Sequence, residues 1–330
     1  MNVSYTHESI RLTGRWDTTN PAYAETTATG SYLEFSFEGD MALFHFDVTT
    51  NATPRLHLWI EVDGGARVEA PIDHYLRVKT NYGKHVVRII YKGGTENDRR
   101  WYHPLTGKVS FVGVAADRPL PIEPDCRKTI EFVGDSITEG VLIDVDYYEG
   151  FVGGEPVSYH DAINRAYQDD VCATYAWLTA EALNLRPVFM GYGAVGVTRS
   201  GQGKVPAAPL AYPYNFDGSP ITRDEPDYIM INHGANDRGR TAEEYTAEYT
   251  ALLNEIRRLN PHAKLIALSA FCGGQHDALE ALIRDYNEKN GTDIAFIDSM
   301  GWIPKEPLHP LRDGHAIVAE HLIEQLGKIL

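Results

Sequence analysis

The pattern of apolar residues along this chain changes character once, and the change falls at a proline-rich segment. From Ala116 to Asp125 the chain reads ADRPLPIEPD, with Pro119, Pro121 and Pro124 close together. A proline has no N–H and cannot continue a sheet ladder, so the segment predicts an extended connector and a domain boundary. Before it lie short runs rich in β-branched and aromatic residues, at 31–37, 41–48, 55–62, 85–91 and 108–114. Gly39-Asp40, Asp63-Gly64-Gly65 and Gly93-Gly94 separate them as turns. Many short strands at such spacing predict an all-β sandwich or barrel.

After the prolines the pattern becomes strand, loop, helix, repeated. Strands are expected at 129–133, 187–190, 227–232, 264–269 and 293–298. Helices are expected at 167–185, 241–259, 277–290 and 313–330. Thr241 and Glu244 form a capping-box signature for the second helix. The last helix is expected to turn Ile317, Val318, Leu322, Ile323 and Leu326 inward. Near-continuous apolar strands alternating with helices predict a parallel sheet covered on both faces. The expected division is 1–118 for the sandwich, 119–126 for the linker and 127–330 for the α/β domain, and 330 residues suit two domains.

Charge narrows the function. Lys and Arg number 30 against 46 Asp and Glu, a net charge of −16. Such a surface repels nucleic acid and anionic membranes, so neither is an expected partner. No apolar run approaches the length of a membrane span. The first residues carry no basic region followed by an apolar one, so a cytoplasmic protein is expected. Homo-oligomerisation stays open. Cys126, Cys172 and Cys272 lie far apart without a C-x-x-C, which suggests neither a zinc knuckle nor a redox pair. No metal or cofactor is expected.

On a parallel sheet, ligands bind at the carboxyl ends of the strands. Four segments there carry chemistry. Gly134-Asp135-Ser136-Ile-Thr-Glu-Gly140 presents a serine hydroxyl between glycines, a nucleophile or a simple turn. Gly191-Tyr192-Gly193-Ala-Val-Gly196 matches G-x-G-x-x-G, yet a proline-rich loop follows where a dinucleotide site needs a helix. Its other reading is a loop whose N–H groups face a developing oxyanion. His233-Gly-Ala-Asn236-Asp237 offers an amide donor or an Asx turn. Glu306-Pro-Leu-His309-Pro310 supplies a histidine, the side chain whose ordinary pKa suits a general base, and a carboxylate that could orient it. His315 is expected to pack or cap the terminal helix. The long segment 141–167, with Asp144, Asp146, Tyr147, Tyr148, Phe151 and Tyr159, is expected to wall the site of a hydroxyl-rich ligand or to pack on the sandwich.

Taken in this order, the four segments resemble the SGNH/GDSL hydrolase superfamily over 127–330. The resemblance implies a flavodoxin-like three-layer α/β/α domain with Ser136 as nucleophile and His309 as base. It implies an oxyanion hole made of Ser136 N–H, Gly193 N–H and the Asn236 amide. The family's last block reads Asp-x-x-His-Pro, and this chain has Glu306 at the Asp position. Either Glu306 completes a triad or His309 is oriented by a backbone carbonyl.

In the first half, Ile10-Arg-Leu-Thr-Gly14-Arg15-Trp16, Gly30 to Gly39, Ile60-Glu-Val-Asp63-Gly64, Gly83-Lys-His85 and Lys92-Gly-Gly-Thr-Glu96 resemble the jelly-roll domain of carbohydrate esterase family 2. That resemblance implies removal of O-acetyl groups from sugars or acetylated oligosaccharides. Asp135, Tyr147, Tyr148, Tyr192 and Trp302 are the candidates for contact with substrate. Acyl transfer, hydrolysis of another short-chain ester and non-catalytic carbohydrate binding are the competing readings.

Overall fold

The computed structural model describes residues 1–144, 166–223 and 225–330. Tyr147 and Tyr148, like Asp146, Phe151 and Tyr159, lie outside the described residues. The first domain holds strands β1 (Asn2–Ser4), β2 (Ile10–Thr13), β3 (Ala24–Thr26), β4 (Tyr32–Phe46), β5 (His57–Val62), β6 (Val68–Pro71), β7 (Tyr75–Gly93) and β8 (Val109–Pro119). They pair antiparallel in the order β1-β8-β4-β7-β5-β6, with β2 on β4 and β3 on β8.

The two strands expected at 31–37 and 41–48 are a single strand, β4. Gly39 adopts φ +156°, and the pairing with β7 shifts register between Gly39 and Met41. The glycine therefore makes a bulge that bends the strand, not a turn that reverses it. The consequence is visible in the core. Before the bulge the inward residues are Leu33, Phe35 and Phe37; after it they are Ala42, Phe44 and Phe46. Between Phe37 and Ala42 the inward positions switch from odd to even while the same face stays buried. β7 runs well ahead of the expected 85–91 because its first half is largely exposed and lacks an apolar alternation.

The second domain holds β9 (Thr129–Gly134), β10 (Arg186–Gly191), β13 (Tyr228–Asn232), β14 (Lys264–Leu268) and β15 (Ala295–Ile297), with a small pair β11 (Tyr214–Phe216) and β12 (Ser219–Pro220) in the loop between β10 and β13. Its helices are α1 (Ser136–Glu139), α2 (Tyr175–Ala182), α3 (Ala208–Ala211), α4 (Ala242–Leu259), α5 (His276–Asn290) and α6 (Arg312–Leu326). The five sheet strands are parallel in the order β10-β9-β13-β14-β15. In chain order within this domain that is 2-1-3-4-5, the flavodoxin-like winding.

Alternate strand residues sort into two cores. Ile130, Phe132, Phe189, Met230, Ile266 and Leu268 pack with α2 and α6. Val133, Met190, Ile231, Leu265 and Ala267 pack with α4 and α5. Three layers result. Two helix expectations need correction. The helix expected at 167–185 is broken into 3₁₀ turns at Ala166–Gln168 and Val171–Ala173, and α2 begins only after its Thr174 cap. Asp170 and Thr174 each accept a backbone N–H and restart the chain. In α6, Ile317 faces solvent, and the inward stripe is His315, Val318, Ala319, Leu322 and Leu326.

The two domains share buried charge. Arg15, just after β2, is 3.0 Å from Glu131 in the central strand β9, with both side chains fully buried. Arg100, in the loop between β7 and β8, pairs with Glu139 of α1, also out of solvent. Breaking a buried pair by removing one partner strands the other charge. Arg100→Ala is expected to lower stability by about 3–5 kcal/mol in urea unfolding, because Glu139 would remain buried. Replacing the pair together, Arg100→Met with Glu139→Leu, is expected to cost less than Arg100→Ala alone. A larger cost for the double replacement would refute this account of the pair.

Candidate active site

Three strands that neighbour one another at the point where the sheet order reverses end at the same edge. β9 runs into Asp135, whose carboxylate caps α1 by accepting from Ile137 N–H at 3.0 Å. The cap starts a one-turn helix with Ser136 at its head. Ser136 Oγ lies 2.8 Å from His309 Nε2, within reach for the hydroxyl to donate to the ring. His309 arrives from the loop between β15 and α6. Both residues are nearly buried, at 5% and 6% exposure. Burial pushes the His309 imidazole down to about 4, so at neutral pH the ring is uncharged and free to accept a proton.

β13 leads into the turn that carries Asn236. Its Nδ2 donates to Asp135 Oδ2 at 3.1 Å and to the Val195 carbonyl at 3.1 Å. A side-chain amide has two hydrogens, and both are engaged. The amide thus ties together the loops after β9, β10 and β13. An oxyanion here would have to share one of those hydrogens. The N–H groups of Ser136 and Gly193 have no protein acceptor among the described residues.

These side chains border a cavity of about 270 Å³ lined by Glu96, Ser136, Ile137, Ala194, Ala235, Asn236, Glu306, Pro307, Leu308 and His309. Glu306 stands at its exposed rim. Among the described residues no hydrogen bond or ion pair joins its carboxylate to His309. Asp298 pairs with His276, and Asp313 accepts from Gly314 N–H.

Three expected substrate contacts are placed elsewhere. Asp135 is buried beneath the nucleophile with its oxygens on Ile137 and Asn236. Burial and the nearby charges of Asp237 and Glu96 push it up to about 7, against the hydrogen bonds from Ile137 and Asn236. Tyr192 is buried under the Arg100 guanidinium with its hydroxyl 3.1 Å from Thr27, so it belongs to the domain interface. Trp302 stacks on His321 of α6 at 4.8 Å and does not line the cavity. His315 is buried, with Nδ1 accepting from Tyr175 N–H at 3.1 Å.

The glycine loop takes no helix directly after it, and two of its glycines, Gly193 and Gly196, make room for protein carboxylates. A β-carbon on Gly196 would fall 2.5 Å from Asp237 Oδ1. Asp237 in turn accepts from Val197 N–H and Thr198 N–H. Sequence reasoning missed Glu96. It sits in the sandwich domain yet lines the cavity, and its signal was an acidic residue closing the Gly93-Gly94-Thr95-Glu96 run at the end of β7.

Two measurements follow from this geometry. A base must be unprotonated, so activity is lost as pH falls through its pKa. kcat/KM for p-nitrophenyl acetate is expected to hold well below pH 6 and to halve near pH 4, given burial of His309. A midpoint at the ordinary histidine value of 6.5 in folded protein would refute this. Loss of a carboxylate that orients a catalytic imidazole typically costs about 10⁴ in kcat. Glu306→Gln is expected to stay within about ten-fold of the parent, and a 10⁴-fold loss would restore the triad.

Residues 132–317 match the GDSL-like Lipase/Acylhydrolase family. An acetylxylan esterase / glucomannan deacetylase of Cellvibrio japonicus is 27% identical over 265 residues, covering 76% of this chain and 68% of that protein. The structure of a family two carbohydrate esterase from Cellvibrio japonicus superposes with a TM-score of 0.80 at 21% identity, covering 100% of this chain and 97% of that one. A family two carbohydrate esterase from Clostridium thermocellum, in complex with cellohexaose, superposes with a TM-score of 0.76 at 21% identity, covering 97% and 98%. With the matched segment spanning more than half of its length, the chain belongs to the GDSL-like lipase/acylhydrolase family.

Proposed function

We propose that the protein is a serine esterase that removes O-acetyl groups from carbohydrate, with acetylated oligosaccharides as substrates. The observation that carries the chemistry is the 2.8 Å contact between Ser136 Oγ and an uncharged, buried His309. The activity of the Cellvibrio japonicus relative supports the acetylated-sugar substrate class. The cavity, at about 270 Å³, lies at the small end for ligand sites and suits an acetyl group better than a long acyl chain.

In this reading Ser136 Oγ gives its proton to His309 Nε2 as it attacks the acetyl carbonyl carbon. The carbonyl oxygen becomes an oxyanion and accepts hydrogen bonds from Ser136 N–H and Gly193 N–H. Asn236 holds the surrounding loops in register for those donors. The bond to the sugar oxygen breaks, and that oxygen leaves with the proton from His309. Water, giving a proton to His309, then attacks the acyl-serine, and acetate departs as Oγ recovers its proton.

Ser136→Ala is expected to abolish p-nitrophenyl acetate hydrolysis in a protein that unfolds at the parent temperature. Parent-level activity in that variant would refute the assignment. Acetate release across acetylated xylo-, manno- and gluco-oligosaccharides tests the substrate class. Activity on p-nitrophenyl acetate with none on the whole panel would refute the sugar assignment and leave the esterase.

A further inference from the structure

Gly193 does not sit in the left-handed region of backbone space, since it is absent from the positive-φ glycines. Its φ is open to any residue, so a glycine there needs another explanation. The explanation is Glu96. A β-carbon built on Gly193 would lie 2.6 Å from Glu96 Cδ and 2.7 Å from Glu96 Cγ, and closer still to Oε1. Glu96 is 1% exposed and borders the catalytic cavity beside Ser136 and Asn236.

The loop that carries Glu96 is clamped to the hydrolase domain on both sides. Asp98 N–H donates to the Thr95 carbonyl, closing a turn around Glu96. Arg100 N–H donates to the Gly203 carbonyl at 2.9 Å, and its side chain pairs with Glu139. Before it, a β-carbon on Gly93 would fall 2.6 Å from Asp169 Cβ, so the strand end lies directly on the other domain. Behind Gly193, Gln202 N–H donates to the Gly193 carbonyl at 2.9 Å, fixing the far side of that peptide.

We infer that Glu96, supplied by the sandwich domain, is a positioning residue of the active site: its side chain packs on Gly193 and sets where that N–H points. The inference rests on the serine-esterase reading, because it gives Gly193 N–H an oxyanion to meet. It assigns the sandwich domain a part in shaping the active site. It also makes the glycine and the glutamate interdependent: the side chain at 96 occupies the space that a side chain at 193 would need.

A double-mutant cycle tests this, with kcat and KM for p-nitrophenyl acetate measured for Glu96→Ala, Gly193→Ala and the pair, and folding checked by thermal unfolding. Gly193→Ala alone is expected to lower kcat by about 10²–10³-fold, the usual cost of an oxyanion donor. Glu96→Ala alone is expected to lower kcat by about ten-fold with KM within about two-fold, a split that mere loss of packing would not give. In the Glu96→Ala background, adding Gly193→Ala is expected to cost less than about ten-fold, because the methyl then has space. Equal cost of Gly193→Ala in both backgrounds, or parent kcat in folded Glu96→Ala, would overturn the inference. Where Glu96→Ala does not fold, Glu96→Asp takes its place; it withdraws the carboxylate by one methylene and keeps the charge. Ser136→Ala separates the two readings. A dead Ser136→Ala with an additive cycle defeats only the role of Glu96, whereas an active Ser136→Ala defeats the esterase reading itself.

Discussion

The segment that carries the nucleophile is pinned to the other domain by two buried ion pairs, whose cations are Arg15 and Arg100. β9 holds Glu131 at its centre, and α1 holds Glu139 one turn after Ser136. Burial pushes the Glu131 carboxyl up, but Arg15 and Arg223 outweigh it and keep it below the usual carboxylate range. Tyr212 adds a hydroxyl donor at 2.8 Å, while Arg15 also donates to the Tyr212 carbonyl at 2.8 Å. A carboxylate in the middle of a covered sheet is tolerable only with such partners. Without the sandwich, Glu131 would lose Arg15 and Glu139 would lose Arg100. Undocked, the sandwich would in turn lose the carboxylates that two of its cations face. Each half therefore completes the desolvation of the other, and the strand–turn–helix unit that aims Ser136 is rigid because both of its acids are answered.

Much of this was legible from the residues. The change of pattern at the prolines separated an all-β half from an alternating half. The apolar runs gave all five parallel strands, because such strands are buried on both faces. The catalytic segments were legible because each combines special residue types at a strand's carboxyl end. What escaped notice involves contacts between distant parts of the chain. Arg15 and Arg100 look like ordinary solvated arginines in sequence. Glu96 looks like a turn residue. Tyr192 looks like a site aromatic because it stands between two glycines, yet its ring lies under Arg100. The β4 bulge was misread as a turn because Gly39-Asp40 carries the same residue chemistry for either. Only the switch of inward positions from odd to even distinguishes them, and that parity was present in the aromatic residues from the start.

The buried groups around Ser136 divide into two sets with opposite pH behaviour. Asp135 has a folded value near 7 against a reference of 3.8. Between those values the folded chain holds a proton that the unfolded chain releases, so its contribution favours the folded state at low pH and fades as pH rises through 7. His233 and His309 are pushed down to about 4 and His315 to about 3 from 6.5, chiefly by burial. In that window the unfolded chain binds protons that the folded chain refuses, so these three lose stability as pH falls. The same desolvation that leaves His309 a neutral base also leaves Asp135 able to hold a proton beneath the nucleophile. Exclusion of water thus moves both groups, in opposite directions.

The loop after β10 shows how the same local chemistry can serve a different end. In a dinucleotide site, glycines let backbone N–H groups approach an anionic pyrophosphate. Here Gly196 makes room for the carboxylate of Asp237, and the N–H groups of Val197 and Thr198 bind that carboxylate. Gly193 makes room for Glu96 in the same way. The carboxylates that this loop accommodates come from other parts of the same chain. With Gln202 N–H on the Gly193 carbonyl and Glu96 packed on the α-carbon, the peptide at Gly193 is held from two sides, and its N–H has no protein acceptor among the described residues. In the proposed esterase reading, a donor held this way meets an oxyanion with little reorganisation, which is the condition under which such a donor stabilises the transition state most.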